Sequence, residues 1–207
     1  EMQDYTPIQH AVLSKVFTCK RTIIGDFSQA LLPYETISKK AFEALFHHLE
    51  YVELTTTYRS SYEIAMYAKK FMRDGEIHPI ARHGKEPEEW KYSTLEQMLK
   101  QIHEIARNDY RTTAIICKTE KDLQILKERL NIPFTILDGH TEKFETGLLI
   151  TTIQYAKGLE FDAVIVPFVN ETNYKTEFDR GLLYIASTRA MHELTVLVDK
   201  EAPSPLL

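Results

Sequence analysis

The residues of this sequence whose types and spacing could do chemistry stand in short polar stretches that directly follow β-like runs. Behind Arg21-Thr22-Ile23-Ile24 comes Gly25-Asp26-Phe27-Ser28-Gln29, where a carboxamide just past a tight turn can hydrogen-bond a phosphate or a water. Behind Val52-Glu53-Leu54 comes Thr55-Thr56-Thr57-Tyr58-Arg59-Ser60, an aromatic beside an arginine at a helix start. Leu149-Ile150-Thr151-Thr152 leads to Ala156-Lys157-Gly158-Leu159-Glu160-Phe161-Asp162, and Ser187-Thr188-Arg189 stands on the following helix. Two arginines, a glutamine and an acidic start at Glu1 suit phosphoryl chemistry, where charge neutralisation and positioning dominate. Taken singly each is weak. An arginine after a strand is more often a surface salt bridge worth about 0–1 kcal/mol, a Gly-Asp pair is more often only a turn, and Tyr58 alone is more often packing. Order and spacing together change that balance.

Other chemistries lack their residues. A phosphate-binding loop needs G-x-x-x-x-G-K-[ST], so that backbone N–H groups and a lysine surround the phosphates. The Gly84-Lys85 pair is followed by Glu86 and has no upstream glycine, so the sequence has no such loop. Cys19 and Cys117 are far apart and neither belongs to a C-x-x-C pair, which leaves metal ligation and a disulfide framework unsupported. Both are expected to be buried structural thiols of a cytoplasmic protein.

The elements that must position these residues follow from the spacing of apolar side chains. It predicts helices over Pro7–Phe17, Ser38–His48, Ser60–Met72, Thr119–Leu130 and Leu182–Met191, and one opening at Ser93, with Ser93 and Glu96 as a capping box. Strands are predicted at Arg21–Gly25, Tyr51–Leu54, Thr112–Cys117, Phe134–Leu137, Leu148–Ile153, Ala163–Phe168 and Leu194–Asp199. Arg73–Lys91, with Gly75, Pro79, Gly84 and Pro87 among charges, reads as an irregular connection. Strands alternating with helices imply an α/β architecture with a parallel sheet and right-handed crossovers. In such sheets ligands bind at the carboxyl ends of the strands, which is where the polar stretches are expected.

Size and charge set the outer bounds. The chain has 207 residues, 43% hydrophobic and 27% charged, values of an ordinary globular protein with a real core. Lys and Arg number 25 against 30 Asp and Glu, a net charge of −5, so any nucleic-acid contact is local rather than a general basic footprint. The longest apolar runs fall far short of the roughly 20 residues that span a bilayer. The opening Glu-Met-Gln-Asp is not a start methionine with a leader, which points to a piece of a longer protein.

In order, EMQD, GDFSQ, TYRS, AKGLEFDAVIV and LLYIASTRA resemble motifs II, III, IV, V and VI of superfamily 1 helicases of the UvrD/Rep type, over Glu1 to Val198. Glu1-Met2-Gln3-Asp4-Tyr5-Thr6-Pro7 and Tyr155–Asp162 are most similar to HelD-type (helicase IV-like) proteins, which are associated with bacterial RNA polymerase. The resemblance implies a RecA-like fold: a C-terminal remnant of a first domain over residues 1–57 and a nearly complete second domain over 58–207. It implies that Glu1 activates the attacking water, Gln29 senses the γ-phosphate, Tyr58 stacks on adenine, and Arg59 and Arg189 reach the γ-phosphate. Glu160 is implied near the ribose and Gly158 at the adjacent backbone turn. ATP and Mg²⁺ are the implied cofactors, with most metal ligands in the part of the polypeptide before Glu1 and no metal site in this chain. Without a phosphate-binding loop the chain alone is expected to be inactive.

The implied nucleic-acid contacts are Tyr34, Thr152 and Gln154, with single-stranded DNA as the partner. Two departures bear on them. Where UvrD-like proteins carry Trp-Arg after motif III, this sequence has Tyr34-Glu35, which keeps an aromatic face for a base but places a carboxylate where phosphate would lie. Gln154 stands where motif V usually has a histidine. Between Thr135 and Thr152 there is no room for the large insertion of UvrD and Rep. The alternatives are a HelD-like ATPase acting on RNA polymerase and a non-catalytic RecA-like interaction module. No membrane partner is expected.

Overall fold

The computed structural model describes residues 1–31, 39–46, 49–72, 75–141 and 146–207. The chain opens with a 3-10 turn, Met2–Asp4. Helix α1 (Pro7–Val16) follows, started by a capping box between Thr6 and Gln9. A second 3-10 turn, Phe27–Gln29, precedes α2 (Lys39–Leu45). Strand β1 (Thr56–Thr57), α3 (Tyr62–Lys69), β2 (His78–Pro79), β3 (Glu88–Tyr92) and α4 (Leu95–Ile105) come next. Then follow β4 (Thr112–Cys117), α5 (Glu120–Arg129), β5 (Thr135–Leu137), β6 (Gly147–Thr152), α6 (Ile153–Ala156), β7 (Phe161–Val169), α7 (Glu177–Ser187) and β8 (Ala190–Asp199).

Six strands form one sheet in the order β3-β8-β7-β4-β6-β5, and all of their pairings are parallel. β1 and β2 make a separate parallel pair. Helices cover both faces, so the central strands are apolar on both sides. The period of two is visible in β4. Ala114 and Ile116 join Ile64, Ala68 and Ile185 of α3 and α7 on one face. Ile115 and Cys117 join Met98, Ile102 and Leu126 of α4 and α5 on the other. Met2, Phe42 and Phe46 form a third, smaller core for the leading segment, with His10 edge-on to Phe42. Among the described residues no helix is long and apolar enough to cross a membrane.

Several expectations need correction. Arg21–Gly25 and Tyr51–Leu54 are not strands, because no described strand lies beside either to complete a ladder, and Ile24, Val52 and Leu54 stay exposed. The connection 73–91 is not wholly irregular: it contributes β2 and the edge strand β3. Its Glu-Glu-Trp-Lys-Tyr run alternates as an edge strand does, and the charges masked it. The helix expected from Ser93 starts one residue later, with Thr94 accepting from Gln97 N–H. The helix expected at Leu182–Met191 begins at Glu177, where Thr176 and Asp179 form a capping box, and it ends at Ser187 because Ala190 already belongs to β8. Cys117 is buried in β4 but Cys19 is exposed, in the coil after α1.

Candidate functional site

Three segments of the larger part converge because each precedes an element anchored in the core. Glu160 comes immediately before β7 and Arg189 immediately before β8. The Phe161 N–H donates to Arg189 O at 2.9 Å and so ties the two strand starts together. Ser60 Oγ donates to Ala190 O at 2.6 Å, and Ser61 N–H to Met191 O at 3.2 Å, which pins Arg59 beside them. Tyr58, Arg59, Gly158, Glu160 and Arg189 therefore gather at the amino ends of β7 and β8. This differs from the carboxyl-end placement expected for polar stretches that follow strands, because α6 and its turn carry the chain back before Glu160 is reached.

The opposing wall is made by the two 3-10 turns. Buried Gln3 accepts from Asp26 N–H at 3.1 Å and donates from Nε2 to Glu1 Oε2 at 2.5 Å. A methyl group on Gly25 would overlap Gln3 Oε1 and Met2 Cγ, so only glycine permits this approach. Asp26 accepts from Ser28 N–H at 2.8 Å and from Gln29 Nε2 at 2.8 Å. That leaves Gln29 Oε1 facing the other wall, where it accepts from Arg189 Nη2 at 3.3 Å across 160 sequence positions.

Arg189 is only 1% exposed. Its guanidinium also donates to Ile185 O at 3.2 Å, Leu159 O at 3.3 Å and Thr188 Oγ1 at 3.1 Å. Burial, together with the charge of Arg59, pulls its pKa down to about 10, while Glu160, Tyr184 and Glu1 act in the opposite direction. It remains a cation at neutral pH. Arg59 Nε donates to Glu160 Oε1 in a direct ion pair. Among the described residues Arg189 is held by uncharged oxygens alone, with no carboxylate bonded to it, so its positive charge is available to an anion entering the cleft.

Lys157 closes the same cleft. Its side chain is 7% exposed, with the ammonium 2.6 Å from Asp4 Oδ2 and 3.1 Å from Glu1 Oε2, and it donates to Gln29 O at 2.8 Å. The Glu1 carboxyl lies below its ordinary pKa: burial pushes it up, but the Lys157 hydrogen bond and charge, with the Gln3 hydrogen bond, act against it. Gly158 follows at φ +83, the left-handed region that favours glycine, and turns the backbone between Lys157 and Glu160.

The structure thus brings together Glu1, Gln29, Arg59, Gly158, Glu160 and Arg189. Tyr58 adjoins Arg59 with its side chain 67% exposed, open to a flat partner. Thr152 is buried at the end of β6, whereas Gln154 on α6 is exposed. Tyr34, with Glu35, lies outside the described residues. Sequence reasoning missed Lys157, Asp4, Gln3 and Asp26 as members of the site. Lys157 stood inside a recognised motif, but its carboxylate partners lie more than 150 positions away. Among the described residues no group of three or more His, Cys, Asp or Glu is placed to hold a metal ion, so the donor set here does not by itself fit Mg²⁺.

The model of the UvrD-like helicase C-terminal domain matches residues 147–197, from β6 into β8. A solved structure of the C-terminal domain of a "possible DNA helicase" from Lactobacillus plantarum WCFS1 is 32% identical, with a TM-score of 0.61, over 72% of this chain and 91% of that one. The chain belongs to the UvrD-like helicase C-terminal family. The parallel sheet flanked by helices is the RecA-like architecture of that family. Two other solved structures are far more distant. Truncated PRRSV nsp10 (helicase) is 10% identical over 57% of this chain and 42% of that one, with a TM-score of 0.34. A DEAD box protein from the hyperthermophile Methanococcus jannaschii is 16% identical over 67% and 43%, with a TM-score of 0.38. No curated protein matches the chain. Within this UvrD-like frame, the matched region contains Gly158, Glu160 and Arg189, while Glu1, Gln29 and Arg59 lie outside it.

Proposed function

We propose that this chain is the C-terminal portion of an ATP-dependent superfamily 1 DNA helicase or translocase, with ATP bound between residues 1–57 and 58–207. The observation that carries the reading is the Arg189–Gln29 contact at 3.3 Å. It joins the two walls at the point where Arg59, Glu160 and Glu1 also gather. An anion entering there meets two guanidinium groups and a carboxamide, and the nearby Glu1 carboxylate is available to orient a water. Tyr58 is free to stack on the base. When bound, Mg²⁺ would offset phosphate charge, with ligands drawn from elsewhere in the polypeptide.

The division at residue 57 is part of the same proposal. The small core around Met2, Phe42 and Phe46 is separate from the two cores that enclose the large sheet. Ile8, Val12 and Val16 make an exposed apolar stripe along α1, and Ile24, Val52 and Leu54, in sequence runs of strand character, are exposed as well. Such a face fits a first domain completed by further chain. Alone, the chain has no phosphate-binding loop and would not turn over ATP.

Coupling to single-stranded DNA runs, in this reading, through Tyr34 and exposed Gln154, with buried Thr152 anchoring the strand end behind Gln154, in a cytoplasmic protein. The HelD-type alternative, an ATPase acting on RNA polymerase, rests on the Glu1–Pro7 and Tyr155–Asp162 sequence runs. The test is ATP turnover by the full-length protein alone, with a single-stranded oligonucleotide, and with RNA polymerase. Stimulation by the oligonucleotide is expected. Stable polymerase association without any oligonucleotide effect would overturn the DNA-motor reading, and no turnover under any condition would favour a non-catalytic module.

A further inference from the structure

Lys157 has no role in the roles drawn so far, yet it is among the best-enclosed charges of the cleft. An ammonium leaves water only where acceptors replace it. Here the acceptors are Asp4 Oδ2 at 2.6 Å, Gln29 O at 2.8 Å and Glu1 Oε2 at 3.1 Å. All three come from the two 3-10 turns of the leading segment, while Lys157 itself ends α6. Its own N–H is fixed on Ile153 O at 3.1 Å, and Gly158 turns the backbone away just behind it. The side chain therefore spans from the wall that carries Glu160 and Arg189 to the wall that carries Glu1 and Gln29.

We infer that Lys157 is a positioning residue for the reaction proposed above: its ammonium clamps Glu1, Asp4 and Gln29 together and so fixes where the Glu1 carboxylate meets the attacking water. The inference rests on the reading of Glu1 as the water-activating carboxylate. Lys157 does not touch the reacting atoms; it acts through Glu1. Displacing a catalytic group by about 1 Å can cost about a hundredfold in rate, and an uncharged side chain of the same length would leave Glu1 held by Gln3 alone. The other charged groups around Glu1 are Asp4 and Asp26 on its own wall, and Arg59, Glu160 and Arg189 on the other.

The experiment is steady-state ATP turnover by the full-length protein with single-stranded DNA, as a function of pH, for Lys157→Met, Asp4→Asn and Glu1→Gln. Glu1→Gln tests the underlying reading: full turnover by it would remove the water-activating role itself. Given an inactive Glu1→Gln, Lys157→Met is expected to lower kcat by about a hundredfold with KM for ATP changed less than about threefold. The acid limb of its pH profile is expected to move to higher pH, because Glu1 loses a neighbouring cation. Asp4→Asn removes an anion instead; it is expected to lower kcat less, without an upward move of that limb. If Lys157→Met does not fold, Asp4→Asn carries the test, and an unchanged kcat in it overturns the clamp. Lys157→Met with unchanged kcat and acid limb, beside an inactive Glu1→Gln, would also overturn it.

Discussion

At the scale of single residues, the cleft interleaves cations with carboxylates: Arg59 faces Glu160, Lys157 faces Asp4 and Glu1, and Arg189 is held by uncharged oxygens. Arg59 is half-exposed and paired to Glu160, whereas Arg189 is fully enclosed and aligned by three protein oxygens besides Gln29. Arg59→Ala should therefore cost turnover more than nucleotide binding. A drop of about 10³-fold or more in kcat, the low end of arginine-finger effects, is expected with nucleotide affinity changed far less; equilibrium titration of a fluorescent ATP analogue beside turnover rates checks it. Gly158 gives a purely conformational prediction. A methyl group there meets nothing within 4 Å, but φ is +83, so Gly158→Ala should destabilise by about 1–2 kcal/mol, measured by urea unfolding. Most of these residues were legible in the sequence, since motif order named Glu1, Gln29, Tyr58, Arg59, Gly158, Glu160 and Arg189. The supporting residues were not. Gln3, Asp26 and Lys157 matter through contacts that close only when distant turns meet, and linear spacing carries no trace of that.

At the scale of elements, buried strands and capped helices were the legible part. Thr112–Cys117 was read to the residue, because an apolar run between clear breakers leaves little freedom. Arg21–Gly25 and Tyr51–Leu54 had the composition of strands without neighbours to pair with, and β-propensity describes a fit to a sheet rather than a preference of the backbone alone. The start of α7 was hidden in a stretch of charges, yet its cap is one of the stronger local devices. Asp179 accepts from Thr176 N–H at 2.8 Å and Lys175 N–H at 2.9 Å, and pairs with Lys118 at 2.6 Å. Burial raises the Asp179 pKa, but Lys118 and the Thr176 and Lys175 donors outweigh it and leave the carboxyl below its ordinary value. Its contribution to stability is therefore present above the unfolded carboxyl pKa of about 4 and is lost as pH falls through the folded value. Lys118→Met should cost about 3 kcal/mol, the low end for a broken buried pair because the helix cap remains. Chemical unfolding across pH 3 to 7 should also show a smaller acid-side loss of stability than in the parent, because without Lys118 the Asp179 carboxyl titrates closer to its unfolded value.

At the scale of the whole molecule, the sheet of residues 88–199 is a finished unit, and the leading segment is a wall with an apolar outer face. Hydrogen exchange separates the two conditions. In this chain alone, amides of 21–25 and 51–54 should exchange rapidly while those of β4, β7 and β8 are protected. In the full-length protein the first two segments should become protected too. Rapid exchange there in both would remove the idea that further chain completes a first domain around them.

The central claim is that Arg189, held on Gln29, and Arg59, held on Glu160, form one ATP-hydrolysing cleft between the two parts. The most direct measurement is DNA-stimulated ATP turnover by the full-length protein carrying Arg189→Ala, with nucleotide binding and thermal unfolding followed in parallel. The account predicts a loss of about 10³-fold or more in kcat, with ATP still bound and the fold retained. Turnover equal to that of the parent protein, in a variant that is folded and binds ATP, would contradict it.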